Sequence, residues 1–347
     1  MKNKNAKGIA VILIVTLIAA LGLMGCASTS VEKTAGQSTA AAPEQVVSAG
    51  TQVSVTTGSG STLVNEEELF TERDLEQEAD LSDATVYTLT DGQELTITEA
   101  GIYVLQGTAE NAAVIVDAAD DAKVQLVLDG VSIVNTDFPC IYVKNADKVF
   151  VTTQADSSLT VTGEFRADGD TNLNGVIFSR DDLVLNGTAT LTIRSSEHGV
   201  VCKDDLKVTG GSYEITVEEK GLKANDSIRI AGGELRITSG DDAIQAKNDD
   251  DDTLGWVYVA DGTITIDAGD DGIHGEAFVQ IDGGTMTISA GEGIEGTTVL
   301  INGGVINISS WDDGINAARK SDSYQVLVEI NGGEITIVMA AGDTDGI

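Results

Sequence analysis

Gly240-Asp241-Asp242-Ala243-Ile244 returns as Gly269-Asp270-Asp271-Gly272-Ile273 and as Trp311-Asp312-Asp313-Gly314-Ile315. Weaker copies are Glu197-His198-Gly199-Val200, Glu219-Lys220-Gly221-Leu222, Gly291-Glu292-Gly293-Ile294 and Gly342-Asp343-Thr344-Asp345-Gly346-Ile347. Aligned on the residue before the Ile, Val or Leu, they fall at 199, 221, 243, 272, 293, 314 and 346, in steps of 22, 22, 29, 21, 21 and 32. A unit of 21–22 residues, twice lengthened by an insertion, is a structural repeat.

Each unit carries a second marker, seen in Thr209-Gly210-Gly211, Ala231-Gly232-Gly233, Ala260-Asp261-Gly262, Asp282-Gly283-Gly284, Asn302-Gly303-Gly304 and Asn331-Gly332-Gly333. An alternating run follows it, as in Thr263-Ile264-Thr265-Ile266-Asp267. Apolar–polar alternation is a strand signal and Gly-Gly a turn signal, so one unit is two or three short strands joined by tight turns. Propeller blades need about 40 residues or more. The length suits one coil of an all-β parallel β-helix, stacked on the next at about 4.8 Å. An antiparallel sandwich would not require a constant step with the same two turns in the same order.

Outward from the repeats, the N-terminus is not fold. Lys2, Lys4 and Lys7 precede an apolar run from Ile9 to Leu21, the pattern of a secretory signal. Leu23-Met24-Gly25-Cys26 reads as a lipobox, which predicts lipidation of Cys26 and a chain tethered on the extracellular face of a bacterial membrane. Residues 27–64 are a flexible Ser/Thr/Ala/Gly spacer, and residues 65–347 are the β-helix domain, with an acidic stretch from Glu66 to Asp80 before the first strands. The insertions, Lys247 to Thr253 and Ala318 to Ser323, should emerge as loops on one face. The last phrase breaks off without a capping coil, which predicts that the natural chain continues.

The formal charge of -36 leaves no basic patch for phosphates, so nucleic acid is not an expected partner. The placement of the acids is more informative than their number. In a stacked solenoid, Asp241, Asp242, Asp270, Asp271, Glu292, Asp312, Asp313, Asp343 and Asp345 form carboxylate ladders along one edge. Like charges a few ångströms apart are unfavourable unless protonated or bridged, and the expected bridge is Ca²⁺. Glu295, Asn302 and Asn316 are further oxygen donors in range of the same edge, or simply turn residues.

Val124 to Ile133 and Ile141 to Val149, with Phe178-Ser179-Arg180-Asp181-Asp182-Leu183 and Lys203 to Gly211, resemble secreted clostridial carbohydrate-binding proteins of the polysaccharide-lyase-like β-helix type. The likeness covers roughly residues 84–347. It implies a right-handed β-helix with bound calcium, and binding of acidic plant or cell-wall polysaccharide such as polygalacturonate, with cellulose as a further ligand. It implies no established lyase activity. Matched by motif, that family's calcium-associated acids fall on Asp241 and Asp242, Asp270 and Asp271, and Asp312 and Asp313; the copy at Glu292 has one acid where the others have two.

Two other classes stay open at this stage: a pectate-lyase-like enzyme, and a calcium-stiffened surface scaffold or adhesin. A lyase needs a base beside the uronate, and no Lys or Arg in the coils stands in a distinctive motif. Lys203, Lys220 and Lys223 are the basic candidates to meet uronates, or simply compensate the acidity, and Trp311 and Tyr324 are the aromatic candidates, Trp311 either covering a sugar or shielding the turn. Trp256 is expected to pack where the chain re-enters the coil. His198 and His274 fall in turns, do not make a zinc pair, and His274 is expected to satisfy local hydrogen bonds. Cys140 and Cys202 sit beside apolar residues and are expected as separate inward thiols.

Overall fold

A computed structural model describes residues 51–54, 61–341 and 344–347. Cys26 and Asp343 lie outside the described residues. From Thr85 onward the chain winds as a parallel β-helix with three strands per full coil. One coil reads Leu222–Ala224, Ser227–Ile230 and Glu234–Ser239, and each of its strands pairs in parallel with the matching strand of the next coil. The three stacks are the first, second and third sheets.

Stacking in register explains why the alternation repeats. On the third sheet Ile193, Ile215, Ile237, Ile266, Ile288, Ile308 and Ile337 lie on one another through seven coils. All seven are buried. Each such side chain taken out of water contributes about 1.5–3 kcal/mol, so stacked columns of this kind hold the coils together. Cys140 and Cys202 are buried, unpaired thiols inside the solenoid, and burial pushes both pKa values up.

The two glycine markers have different causes. In the Gly-Gly turn the second glycine is left-handed, with φ of 104° at Gly233 and 97° at Gly333, a conformation other residues adopt at a cost. In the acidic phrase the glycine is needed for space. A Cβ on Gly221 would stand 2.5 Å from Ile237 Cγ2 and 2.6 Å from the Ala243 carbonyl oxygen of the next coil. Gly221→Val should therefore lower stability by about 1–3 kcal/mol through overpacking, read as a lower urea midpoint at unchanged m-value.

A strap formed by residues 61–77 runs back along the outer face of the second sheet, against the direction of winding. Ser61 Oγ donates to Glu329 on the last coil at 2.9 Å. The Leu63 and Val64 N–H groups donate to Gln280 Oε1. Leu69 packs among Trp256, Tyr258 and Phe278, and Arg73 lies 4.5 Å from the Phe150 ring centroid. Asp74, fully buried, meets Lys207 at 2.8 Å and Lys148 at 3.5 Å. Asn186 Nδ2 donates to the Glu76 carbonyl, and Gln77 bonds Gly187 and Thr209. Within this strap the acidic stretch forms a single helical turn, Glu66–Leu69.

Candidate carboxylate and carbohydrate site

The outward residues of the first sheet form one row along the solenoid: Tyr142, Phe178, Val201, Lys223, Gln245, His274, Glu295 and Asn316. It changes from aromatic to basic to acidic in that order. Phe138, Leu173 and Val201 bury the aromatic end, so the accessible part starts near Lys223.

The acidic phrases border this row on the upstream side. Backbone bonds between coils put Lys220, Asp242, Asp271, Glu292, Asp313 and Asp345 in one register. A second register holds Asp270, Gly291 and Asp312, so Gly291 occupies the place of the acid that the Glu292 copy lacks. Carboxylate or imidazole atoms gather within 4.8 Å of one another in three overlapping groups: Asp241, Asp242 and Asp270; Asp242, Asp271 and His274; Asp271, Glu292 and Glu295. Lys220, Gln245, His274 and Lys320 join these acids around a groove of about 250 Å³.

Burial without enough positive charge disturbs this cluster. Desolvation pushes Asp271 up to about 6, helped by Asp242 and Glu295 and opposed by His274. Desolvation, then Glu295, Asp271 and Asp313, push Glu292 up to about 7. His274 sits in the middle, its Nδ1 2.8 Å from Asp271 and 3.0 Å from Glu295, its Nε2 3.3 Å from Glu276. Burial alone would strip its proton, but these three carboxylates outweigh burial and raise its pKa to about 11. Lys220 closes one end of the row at 2.8 Å from both Asp241 and Asp242, and Lys320 closes the other at 2.8 Å from Glu295. Even with the protonated imidazole and two ammonium groups, the carboxylates stay short of counter-charge. An oxygen-rich set of this kind fits a hard divalent cation.

The structure thus brings together Asp241, Asp242, Asp270, Asp271 and Glu292. Asp313 extends the row and accepts from the Asp345 N–H at 3.1 Å, while Asp312 is exposed at its far end. Lys223 is half-buried beside Lys220 and Lys203; burial first, then those two charges, lower its pKa. Lys203 stands over the Phe178 ring, at 5.8 Å from its centroid. Trp311 is 49% exposed, and its Nε1 is 3.5 Å from where a Gly291 Cβ would be, so the ring lies over the missing acid. Tyr324 is away from the row, packed on Phe278 with its hydroxyl donating to the Thr253 carbonyl at 3.2 Å. Trp256 packs as expected, stacked on Phe278 at 5.3 Å.

Two features were not legible as site features. His274 does more than satisfy a turn: its period from Gln245 and Glu295 was readable, but the three carboxylates around it were not. The insertions, on the other side of the row, reach it through lysines: Lys247 approaches Glu276 at 3.6 Å, and Lys320 meets Glu295. The Asp249-Asp250-Asp251-Asp252 run largely builds turns, with Asn248 Oδ1 accepting from the Asp250 and Asp251 N–H groups and Asp251 from Thr253.

These shifts predict how stability depends on pH when no metal is present. Asp271, Glu292 and Asp204 have folded pKa values of about 6, 7 and 7, above those of free carboxylates. The folded state therefore binds more protons than the unfolded one between about pH 4 and 7, and stability falls as pH rises through that window. His274, raised to about 11, adds the same sign above pH 6.5, while His198, lowered to about 3 by burial and by Lys223 and Lys220, opposes it below pH 6.5. The melting temperature in chelator should be lower at pH 8 than at pH 5, and a divalent cation should remove most of the difference.

The fold is a parallel β-helix solenoid that carries an acidic row along one sheet. The chain belongs to the carbohydrate-binding domain-containing protein family, whose model matches residues 91–346. It is 34% identical over 128 residues to a carbohydrate-binding domain-containing protein of Acetivibrio thermocellus, covering 35% of this chain and 45% of that protein. The chain thus spans less than half the length of that curated relative. It is also similar to the solved structure of a polysaccharide lyase-like protein from C. thermocellum, in a gadolinium derivative, with a TM-score of 0.53 and 28% identity over 76% of this chain and 99% of that one.

Proposed function

We propose that this protein binds acidic polysaccharide of the polygalacturonate type through calcium ions shared between its carboxylate row and the uronate groups. One observation carries the reading: the undercompensated acids Asp242, Asp271, Glu292 and Glu295 line an open groove flanked by Lys220 and Lys320. A bound Ca²⁺ supplies positive charge that lets one acidic polymer meet another. Asp241, Asp242 and Asp270 would hold one ion, and Asp271, Glu292 and Glu295 a second. Lys220 and Lys320 neutralise the row without metal and turn to uronate carboxylates when it is filled. Trp311, exposed beside Gly291, would cover a sugar ring there. We further propose that a lipid on Cys26 holds the domain at the outer face of the cell membrane.

The test is calorimetric titration of the Cys26→Ser protein with polygalacturonate, in calcium and again in chelator, with unsaturated product followed by its ultraviolet absorbance. Saturable binding in calcium alone, without product, is the expected result. Product formation would replace the reading with a lyase. Absence of binding in both conditions would leave a calcium-stiffened scaffold.

A further inference from the structure

The two insertions, more than 60 residues apart in sequence, are pinned to each other by Asp252. Its carboxylate accepts from the Ser323 hydroxyl at 2.7 Å and the Asp322 N–H at 3.2 Å, and its carbonyl accepts from the Ser321 hydroxyl at 2.6 Å. Thr297, buried, accepts from the Lys320 and Ser321 N–H groups and donates to the Glu276 carbonyl. Ser321 is 2% exposed, so this junction is packed as well as bonded. Directly before it in the chain stands Lys320, whose ammonium is 2.8 Å from Glu295.

We propose that Asp252 is a positioning residue for ligand: by clasping the second insertion to the first, it holds Lys320 at the groove, where that ammonium meets a uronate carboxylate. This rests on the polyuronate reading given above. The joined loops form a wall on one side of the row, facing the acidic phrases on the other. A polymer between them lies along the solenoid with its carboxylates reachable from both sides. The class favoured is a linear, unesterified polyuronate, since a methyl ester removes the charge that Lys320 and a bound cation would meet.

The test uses the full chain and four proteins: wild type, Asp252→Ala, Lys320→Gln and the double variant. Polygalacturonate binding is measured by calorimetry in saturating calcium, and the metal site separately by terbium luminescence. Asp252→Ala should weaken polygalacturonate binding about tenfold, equivalent to about 1.4 kcal/mol, while terbium affinity changes less than about twofold. In the Lys320→Gln background the same substitution should cost nothing further, because both act through one ammonium. Asp252→Asn should recover part of the loss, since its remaining oxygen still accepts one bond. Unchanged polymer affinity in Asp252→Ala, or an equal loss in both backgrounds, overturns the clasp and leaves the polyuronate reading intact. Failure of the wild type to bind overturns both.

Discussion

Asp74→Ala will lower the unfolding free energy by about 3–5 kcal/mol, the cost of breaking a buried ion pair from one side. Asp74 is fully buried and lies against Lys207 and Lys148, themselves mostly buried. Burial works against its charge, but the Lys207 hydrogen bond, the Thr71 N–H and the two ammonium charges prevail, and its pKa falls below the ordinary carboxylate value. The Lys207 pKa is lowered as well, which for an ammonium disfavours the charged form, because burial and the charges of Lys148 and Arg229 outweigh Asp74. The Asp74 direction is the better guide to the pair, since that carboxylate feels both lysines at once. Its contribution is present above about pH 4 and lost as pH falls through its lowered pKa. Urea unfolding at pH 7 measures the loss. If Lys207→Met combined with Asp74→Leu recovers most of it, the penalty is the stranded charge; if it does not, the strap's geometry depends on the pair itself.

The second large effect is expected at Asp271, which belongs to two of the three carboxylate groups of the row. Asp271→Ala should reduce calcium affinity by at least the ten- to hundredfold seen when even outer-shell partners are lost. Polygalacturonate binding should fall with it. In chelator the same variant should melt close to wild type. The row loses a repelled carboxylate, and His274 keeps Glu276 and Glu295. A variant that loses polymer binding but keeps full calcium affinity would move the metal site elsewhere on the ladder.

The solenoid was legible because its period is written twice, in the acidic phrase and in the Gly-Gly turn, and both are backbone requirements. Gly221 and Gly233 are forced by contact and by φ, so the sequence shows them directly. The acidic ladder was legible for the same reason: a fixed period converts sequence spacing into spatial neighbours. His274 meets local partners as expected, but its role was only partly legible: Glu295 lies one period away, whereas Asp271 and Glu276 lie in its own coil at offsets that a period of 21–22 does not describe. Tyr324 looked like a sugar contact because it follows an insertion, but the aromatic cluster around Phe278 had a place for its ring. The strap was invisible to the pattern, since residues 61–77 have no repeat and their partners are spread from Phe150 to Glu329.

That strap decides where the molecule is held. Because it runs backward along the coils, Ser61 stands beside Glu329, and residues 51–54 add an antiparallel strand to Glu334–Met339 in the same coil. A leash to a lipidated Cys26 would then pull on coils next to the acidic row. Glu295 and Glu329 belong to successive coils, so the near edge of the grip lies about one sheet spacing of 4.8 Å from the hold along the axis. Tension between a wall polymer and a membrane would cross only those few coils, with a short lever arm, and the earlier coils would ride free of load.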